Sequence, residues 1–241
     1  MSEPIYCGLA FGSMSMGLKG ELRPCCGIVP EHFPDNSVLG NDHITQKVNH
    51  EKLRELRRDL INGVWHPACY SCRDNEARGS YSMRMIWNKT IDNAPMTEFM
   101  NPNDVKFLDL SVGNKCNSKC MTCGPGVSDF WIEEYAHINN TIPIFQQSVV
   151  LTDDLVNELV DSFRNVEYIN FIGGEPLMLD EHTQFLKFLV DKGLSKQITI
   201  GYVTNLTMIS ESLIELWGSF KNVGASISID GHGKVNEYIR Y

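Results

Sequence analysis

Helical periodicity is clearest early in the chain. Leu53, Leu56, Leu60 and Ile61 recur at spacings of three and four, and Gly63 follows as a stop signal. The spacing predicts a helix over 51–62 with Lys52, Arg54, Arg57 and Arg58 on a solvated face. A local anion or partner site is the rival reading of those basic residues. The rest of the first hundred residues reads as irregular, with turns at Met16-Gly17, Lys19-Gly20, Pro30 and Pro34. Beyond Asn101-Pro102-Asn103 the pattern becomes regular. Short apolar runs predict strands over 105–112, 167–172, 197–204 and 225–230. Between them fall helices: one over 126–137, and one marked by Leu155, Leu159, Val160 and Phe163 with Thr152 as its N-cap. A third covers 181–192 with Gly193 as C-cap, and a fourth covers 211–220 after Ser210. Residues 231–241 read as the start of one more helix.

Strands alternating with helices imply right-handed βαβ units and a parallel sheet, with short apolar strands covered on both faces. The expected fold class is α/β: a small irregular, cysteine-rich module over 1–100, then a partial (β/α) barrel over 101–241. The predicted strands are too few to close a barrel, so the sheet is an open half-barrel or the chain is a fragment. Composition adds exclusions. With 42% hydrophobic and 21% charged residues, disorder is not the main state. No apolar run approaches the ~18 residues of a membrane span, so no membrane partner is expected. The segment MSEPIYCGLAF has no basic n-region and no long apolar core, so no signal peptide is expected either. The 21 Lys+Arg against 30 Asp+Glu give a net charge of −9. That argues against nucleic acid as a partner and leaves a small or cationic substrate open.

Cysteine usage changes the picture most. All 8 cysteines lie within the first 123 residues. Nothing points to export, so metal binding or redox chemistry in the cytoplasm is the favoured reading over disulfides. CNSKCMTC places Cys116, Cys120 and Cys123 as CX3CX2C directly after the first predicted core strand. Loops at that end of parallel strands build active sites. A structural zinc site is closed by four ligands, whereas three thiolates on a [4Fe–4S] cluster leave one iron open. A redox or zinc loop is the alternative for these cysteines taken alone. After the second core strand comes Gly173-Gly174-Glu175-Pro176. Its glycines permit close backbone approach to a ligand, its carboxylate suits an ammonium, and its proline fixes the turn. Taken alone, this motif is only a turn.

The combination, in this order and at successive strand ends, resembles the radical S-adenosylmethionine (SAM) superfamily. The resemblance implies that Cys116, Cys120 and Cys123 hold a catalytic [4Fe–4S] cluster and that Gly173, Gly174, Glu175 and Pro176 receive the amino group of SAM. It also implies that polar residues at the later strand ends reach the ribose or carboxylate of SAM. Here these are Thr204, Asn205, Ser226, Ser228 and Asp230, the last three sharing one face by strand alternation. Thr122 departs from the family, which has an aromatic residue just before the last cysteine. The implied chemistry is one-electron cleavage of SAM to methionine and a 5′-deoxyadenosyl radical, which takes a hydrogen atom from a substrate. A donor such as flavodoxin or ferredoxin would supply the electron.

Cys7, the GELRPCC segment with Cys25 and Cys26, and the CX2C pair Cys69 and Cys72 precede the core. They look like a twitch or SPASM-type module, here on the N-terminal side. That resemblance implies a second, auxiliary [4Fe–4S] cluster and a substrate range that includes peptides. Cys7, Cys25, Cys69 and Cys72 are the expected ligands, with Cys26 as spare or as a substitute for Cys25. Tetrahedral zinc is the alternative for four thiolates. His66 is close enough in sequence to be a ligand, though a surface histidine is the plainer reading. Three functions remain at this stage: an active two-cluster enzyme, an incomplete piece of one, and a metal-binding module without activity.

Overall fold

The computed structural model describes residues 3–28, 30–33, 43–139 and 152–240. Its elements are α1 (Gly8–Gly12), β1 (Ser13–Met16), β2 (Leu22–Arg23), α2 (Ile44–Lys47), α3 (Glu51–Ile61), α4 (Tyr70–Ala77), α5 (Met83–Trp87) and β3 (Phe107–Ser111). There follow α6 (Ile132–Asn139), α7 (Asp153–Ser162), β4 (Tyr168–Ile172), α8 (Asp180–Asp191), β5 (Thr199–Thr204), α9 (Glu211–Trp217), β6 (Asn222–Ile227) and α10 (Lys234–Ile239). The strands form a six-stranded sheet in the order β2-β1-β3-β4-β5-β6. The chain divides into two compact units, Met1–Asp109 with Asn157–Glu167, and Leu110–Val156 with Tyr168–Tyr241.

The first unit is not irregular throughout. β1 and β2 form an antiparallel hairpin with Ser15 opposite Arg23 and Met16 opposite Leu22. The expected turn closes it, with Gly17 N donating to Glu21 O at 2.9 Å. All four residues of β1 are buried. Its serines are tolerated because each has a partner: Ser13 Oγ lies 2.7 Å from Pro24 O, and Ser15 Oγ lies 3.2 Å from the Asp109 carboxylate.

The helix expected over 51–62 is α3, but one of its basic residues is not on a solvated face. Arg57 is 1% exposed. Its Nε donates to Ala10 O at 3.1 Å, Nη2 to Val48 O at 2.9 Å, and Nη1 to Glu98 O at 3.3 Å. Residue 57 falls between Leu53 and Leu60, on the side that Leu56 also buries. Burial pushes its pKa down to about 10, which leaves it charged at neutral pH. Arg58 remains outside, paired with Glu98 at 2.8 Å, and Arg54 lies 4.6 Å over the Phe99 ring.

The second unit has the expected parallel pairing. Tyr168 to Phe171 of β4 run beside Thr199 to Tyr202 of β5, and Thr199 to Thr204 run beside Asn222 to Ile227 of β6. The strand expected over 225–230 therefore begins and ends three residues earlier. It stops where β5 stops, because the ladder needs a partner at each position. Nor is every strand covered on both faces: β6 is largely exposed, with Ile227 at 49%. The helix expected over 126–137 begins only at Ile132, because residue 129 is drawn back to the preceding loop by Asp129 N donating to Asn114 O at 2.9 Å. The caps agree with expectation. Leu155 N donates to Thr152 Oγ1, Leu213 N donates to Ser210 Oγ, and Gly193 takes φ +70°. Pro34, residues 140–151 and Tyr241 lie outside the described residues.

Phe171, Phe185, Tyr202 and His182 pack together beneath α8. His182 Nε2 is 2.9 Å from Tyr202 OH, which also accepts from Trp217 Nε1 at 2.9 Å. Burial pushes the His182 pKa down to about 3, so it is a neutral core residue. Among the described residues no helix is long and apolar enough to cross a membrane.

Candidate functional site

Two loops meet where β3 and β4 end. Val112 N donates to Ile172 O at 3.1 Å, Gly174 N to Gly113 O at 2.7 Å, and Glu175 N to Lys115 O at 2.9 Å. Backbone thus runs against backbone up to the residue before Cys116. A Cβ on Gly173 would collide with Gly113 O, and one on Gly174 with Lys115 O. Gly173 also takes φ +130°. These glycines let the two loops close on each other.

Glu175 is 1% exposed. Its carboxylate accepts from Thr204 Oγ1 at 2.5 Å, Asn205 N at 2.7 Å and Leu177 N at 3.2 Å. It caps the short 3-10 turn Pro176–Met178 and fastens the exit of β4 to the exit of β5. Asn205 continues the chain of contacts. Its Nδ2 lies 2.8 Å from Asn117 Oδ1, 3.3 Å from Ser118 Oγ and 4.0 Å from Cys116 Sγ. Asn205 is therefore brought to the cysteine loop, and Thr204 to Glu175. Ser228 reaches the same strand end through its N–H, which donates to Thr204 O at 2.9 Å. Ser226 sits exposed on β6 beside Val203. Ser228 and Asp230 lie beyond the strand, so the shared face expected of Ser226, Ser228 and Asp230 is not formed by a strand.

Cys116 and Cys120 are buried and Cys123 half-buried. The loop is held by its own polar groups. Cys116 N donates to Asp129 Oδ1 at 3.1 Å, Cys123 N to Cys120 O at 3.0 Å, and Trp131 Nε1 to Cys120 O at 2.9 Å. Burial first, then Glu175 and Cys123, push the Cys116 thiol up. Burial first, then Cys123, push Cys120 up, and Arg240 opposes this. Two buried thiols and a half-buried one in a single short loop form a soft donor set, and thiolates bind metal. The donor set therefore fits a thiolate-bound metal cluster. Arg240 was not anticipated. Its Nη1 donates to Cys120 Sγ at 3.7 Å and its Nε lies 2.8 Å from Asp230 Oδ2. An acidic residue and an arginine ten positions apart around a glycine turn gave only a weak signal.

The matched family model, described as the Radical SAM superfamily, covers residues 110–240. The chain belongs to the radical SAM superfamily. No curated protein matches it. A crystal structure of SuiB from Streptococcus suis, bound to S-adenosylmethionine, is similar to this chain at 13% identity with a TM-score of 0.33. The match covers 81% of this chain and 43% of that one, so the chain spans less than half the length of SuiB. The radical SAM region takes in the cysteine loop, Gly173 to Pro176, Thr204-Asn205 and Arg240.

The remaining cysteines precede that region. Cys7, Cys25, Cys69 and Cys72 line one cavity of about 290 Å³ in the first unit, with Trp65, Met83 and Arg84. Cys26 does not line it. Exposed overall, it directs its thiol to the Asp109 carboxylate, and partial burial with that carboxylate pushes it up to about 11. Burial raises Cys7 to about 11 and Cys69 to about 12, and neighbouring thiols add to both shifts. Cys25 is raised as well, by burial and then by Cys7. Cys69 and Cys72 lie one helical turn apart at the start of α4. His66 caps the short turn before them, its Nδ1 accepting from Ala68 N at 3.1 Å, which is a structural task. Among the described residues no three His, Cys, Asp or Glu side chains close around a single point.

Proposed function

We propose that this chain is a radical SAM enzyme with a [4Fe–4S] cluster on Cys116, Cys120 and Cys123 and a second [4Fe–4S] cluster on Cys7, Cys25, Cys69 and Cys72. The observation that carries the reading is the chain of contacts from Glu175 through Asn205 to Cys116, which ties the three-cysteine loop to the ends of β4 and β5. When bound, the open-iron cluster would supply the electron that cleaves SAM to methionine and a 5′-deoxyadenosyl radical. The residues of this chain do the rest. The thiolates of Cys116, Cys120 and Cys123 hold three corners and leave one for the amino and carboxylate groups of SAM. Gly173 to Pro176 frame the amino end, with Glu175 as a buried negative charge beside it. Asn205, Ser226, Ser228 and Asp230 are proposed for the ribose or carboxylate. The substrate is proposed to be a peptide, in line with the twitch/SPASM-like first unit. A flavodoxin or ferredoxin would deliver the electron in the cytoplasm.

For the second site, the mainly apolar cavity holding four thiols supports a closed cluster, and tetrahedral zinc is the competing occupant. Metal and sulfide content after anaerobic reconstitution separates them. Roughly eight irons per chain with matching sulfide is the expected result. Roughly four irons and one zinc would make the second site structural. A chain that takes up no iron would overturn the reading. Cys72→Ala is expected to remove about four irons and to spare the cluster that responds to SAM. Cys26→Ser is expected to leave iron content unchanged. Loss of both clusters in Cys72→Ala would count against two independent sites.

A further inference from the structure

Arg240 is the one cation whose guanidinium donates to a thiol in the three-cysteine loop among the described contacts. Its Nη1 reaches Cys120 Sγ at 3.7 Å. Two further contacts hold it there. Residues 120 and 240 form an isolated antiparallel bridge, and Met121 N donates to Ile239 O at 2.8 Å. On its other side Nε lies 2.8 Å from Asp230 Oδ2, and Asp230 is itself fixed by its N–H donating to Asn236 Oδ1 at 3.0 Å. The order is therefore thiol, guanidinium, carboxylate. Among the described contacts from outside the loop, the neutral Asn205 also donates to a thiol, at Cys116.

We infer that Arg240 is a positioning residue that sets the reduction potential of the cluster on Cys116, Cys120 and Cys123, and that Asp230 limits how much of its charge the cluster feels. The inference rests on the proposed ligand role of those cysteines. Its physics is general. Reduction adds one negative charge to a centre already rich in thiolate, and N–H···S donors together with nearby positive charge favour the more negative state. A guanidinium keeps its charge at any working pH and presents several donors in a fixed fork. It can bond sulfur and carboxylate at once. The carboxylate behind it offsets part of its field.

The test is a potentiometric titration of the reconstituted full chain followed by electron paramagnetic resonance. The signal that changes on adding SAM identifies the cluster in question, and its midpoint is measured without SAM. Arg240→Met is expected to lower the midpoint, making reduction about tenfold less favourable at fixed potential, or 59 mV for a one-electron couple. Arg240→Lys, which keeps the charge and loses the fork, is expected to fall between. Asp230→Asn is expected to move the midpoint the other way, because it leaves the guanidinium and every thiol in place and removes only the anion. Where Arg240→Met fails to hold iron, Asp230→Asn decides. Unchanged midpoints in iron-replete variants would overturn the inference. So would an Arg240→Met variant that binds SAM more weakly at an unchanged midpoint, since Arg240 would then be a SAM contact. A wild-type chain with no SAM-responsive cluster overturns the proposed site and this inference with it.

Discussion

Cys120→Ala is expected to reduce 5′-deoxyadenosine formation from SAM by more than about 100-fold. Altering the partners of a metal ligand alone typically costs about 10–100-fold, and this change removes a ligand itself. Of the three cysteines in the loop, Cys120 is the most enclosed: it is 3% exposed, its carbonyl accepts from both Cys123 N and Trp131 Nε1, and its thiol accepts from Arg240. Cys26 belongs to the first unit and is engaged with Asp109. The backbone contacts that shape the loop do not pass through the Cys120 side chain, so the fold is expected to survive. About four irons per chain are expected to remain, on the cysteines of the first unit. Product analysis by chromatography after reduction with dithionite reads the activity, and iron analysis reads the occupancy. Unimpaired 5′-deoxyadenosine formation would remove the cysteine loop from the chemistry.

What could be read from the sequence followed from how locally each feature is encoded. The cysteine loop and the Gly173–Pro176 segment were legible because each is a short run fixed by its own spacing. β4 and β5 were legible because their apolar runs end in turn residues. β6 was placed three residues late because Asn222 and Gly224 are not apolar, and only the ladder to β5 fixes where it starts. The β1–β2 hairpin was missed because its serines look polar, and their burial depends on Pro24 O and Asp109, which lie outside the strand. The distinction between Cys25 and Cys26 could not be read from adjacent identical residues; the cavity admits the first and Asp109 holds the second. The protein partners of Glu175 were not legible, because its three donors come from Leu177 and from β5 and its exit.

Arg57→Met is expected to destabilise the first unit by about 2–4 kcal/mol, the largest stability effect foreseen for a side chain that binds no metal. The available signal was position. Residue 57 sits on the face of Leu53, Leu56 and Leu60, where a solvated arginine does not belong. Its removal leaves the buried carbonyls of Ala10 and Val48 without their donor, at about 1–3 kcal/mol for each unsatisfied group, and the half-buried carbonyl of Glu98 at less. Relief from burying the guanidinium offsets part of that cost. Arg58 is exposed, and its pairing with Glu98 is screened by solvent, so Arg58→Ala serves as a control with little effect. Urea unfolding of the two variants makes the comparison. The consequence reaches the proposed second cluster. Arg57 pins Ala10 in α1, directly after Cys7, and Ile5 N is tied to Leu60 O at 2.8 Å on the same helix. Both contacts set the position of Cys7 at the cavity wall. Arg57→Met is therefore expected to lose iron from the first unit at urea concentrations where the wild type retains it, while the SAM-responsive cluster persists. Equal stability of the Arg57→Met and Arg58→Ala variants would mean that the buried guanidinium contributes no more than a surface one.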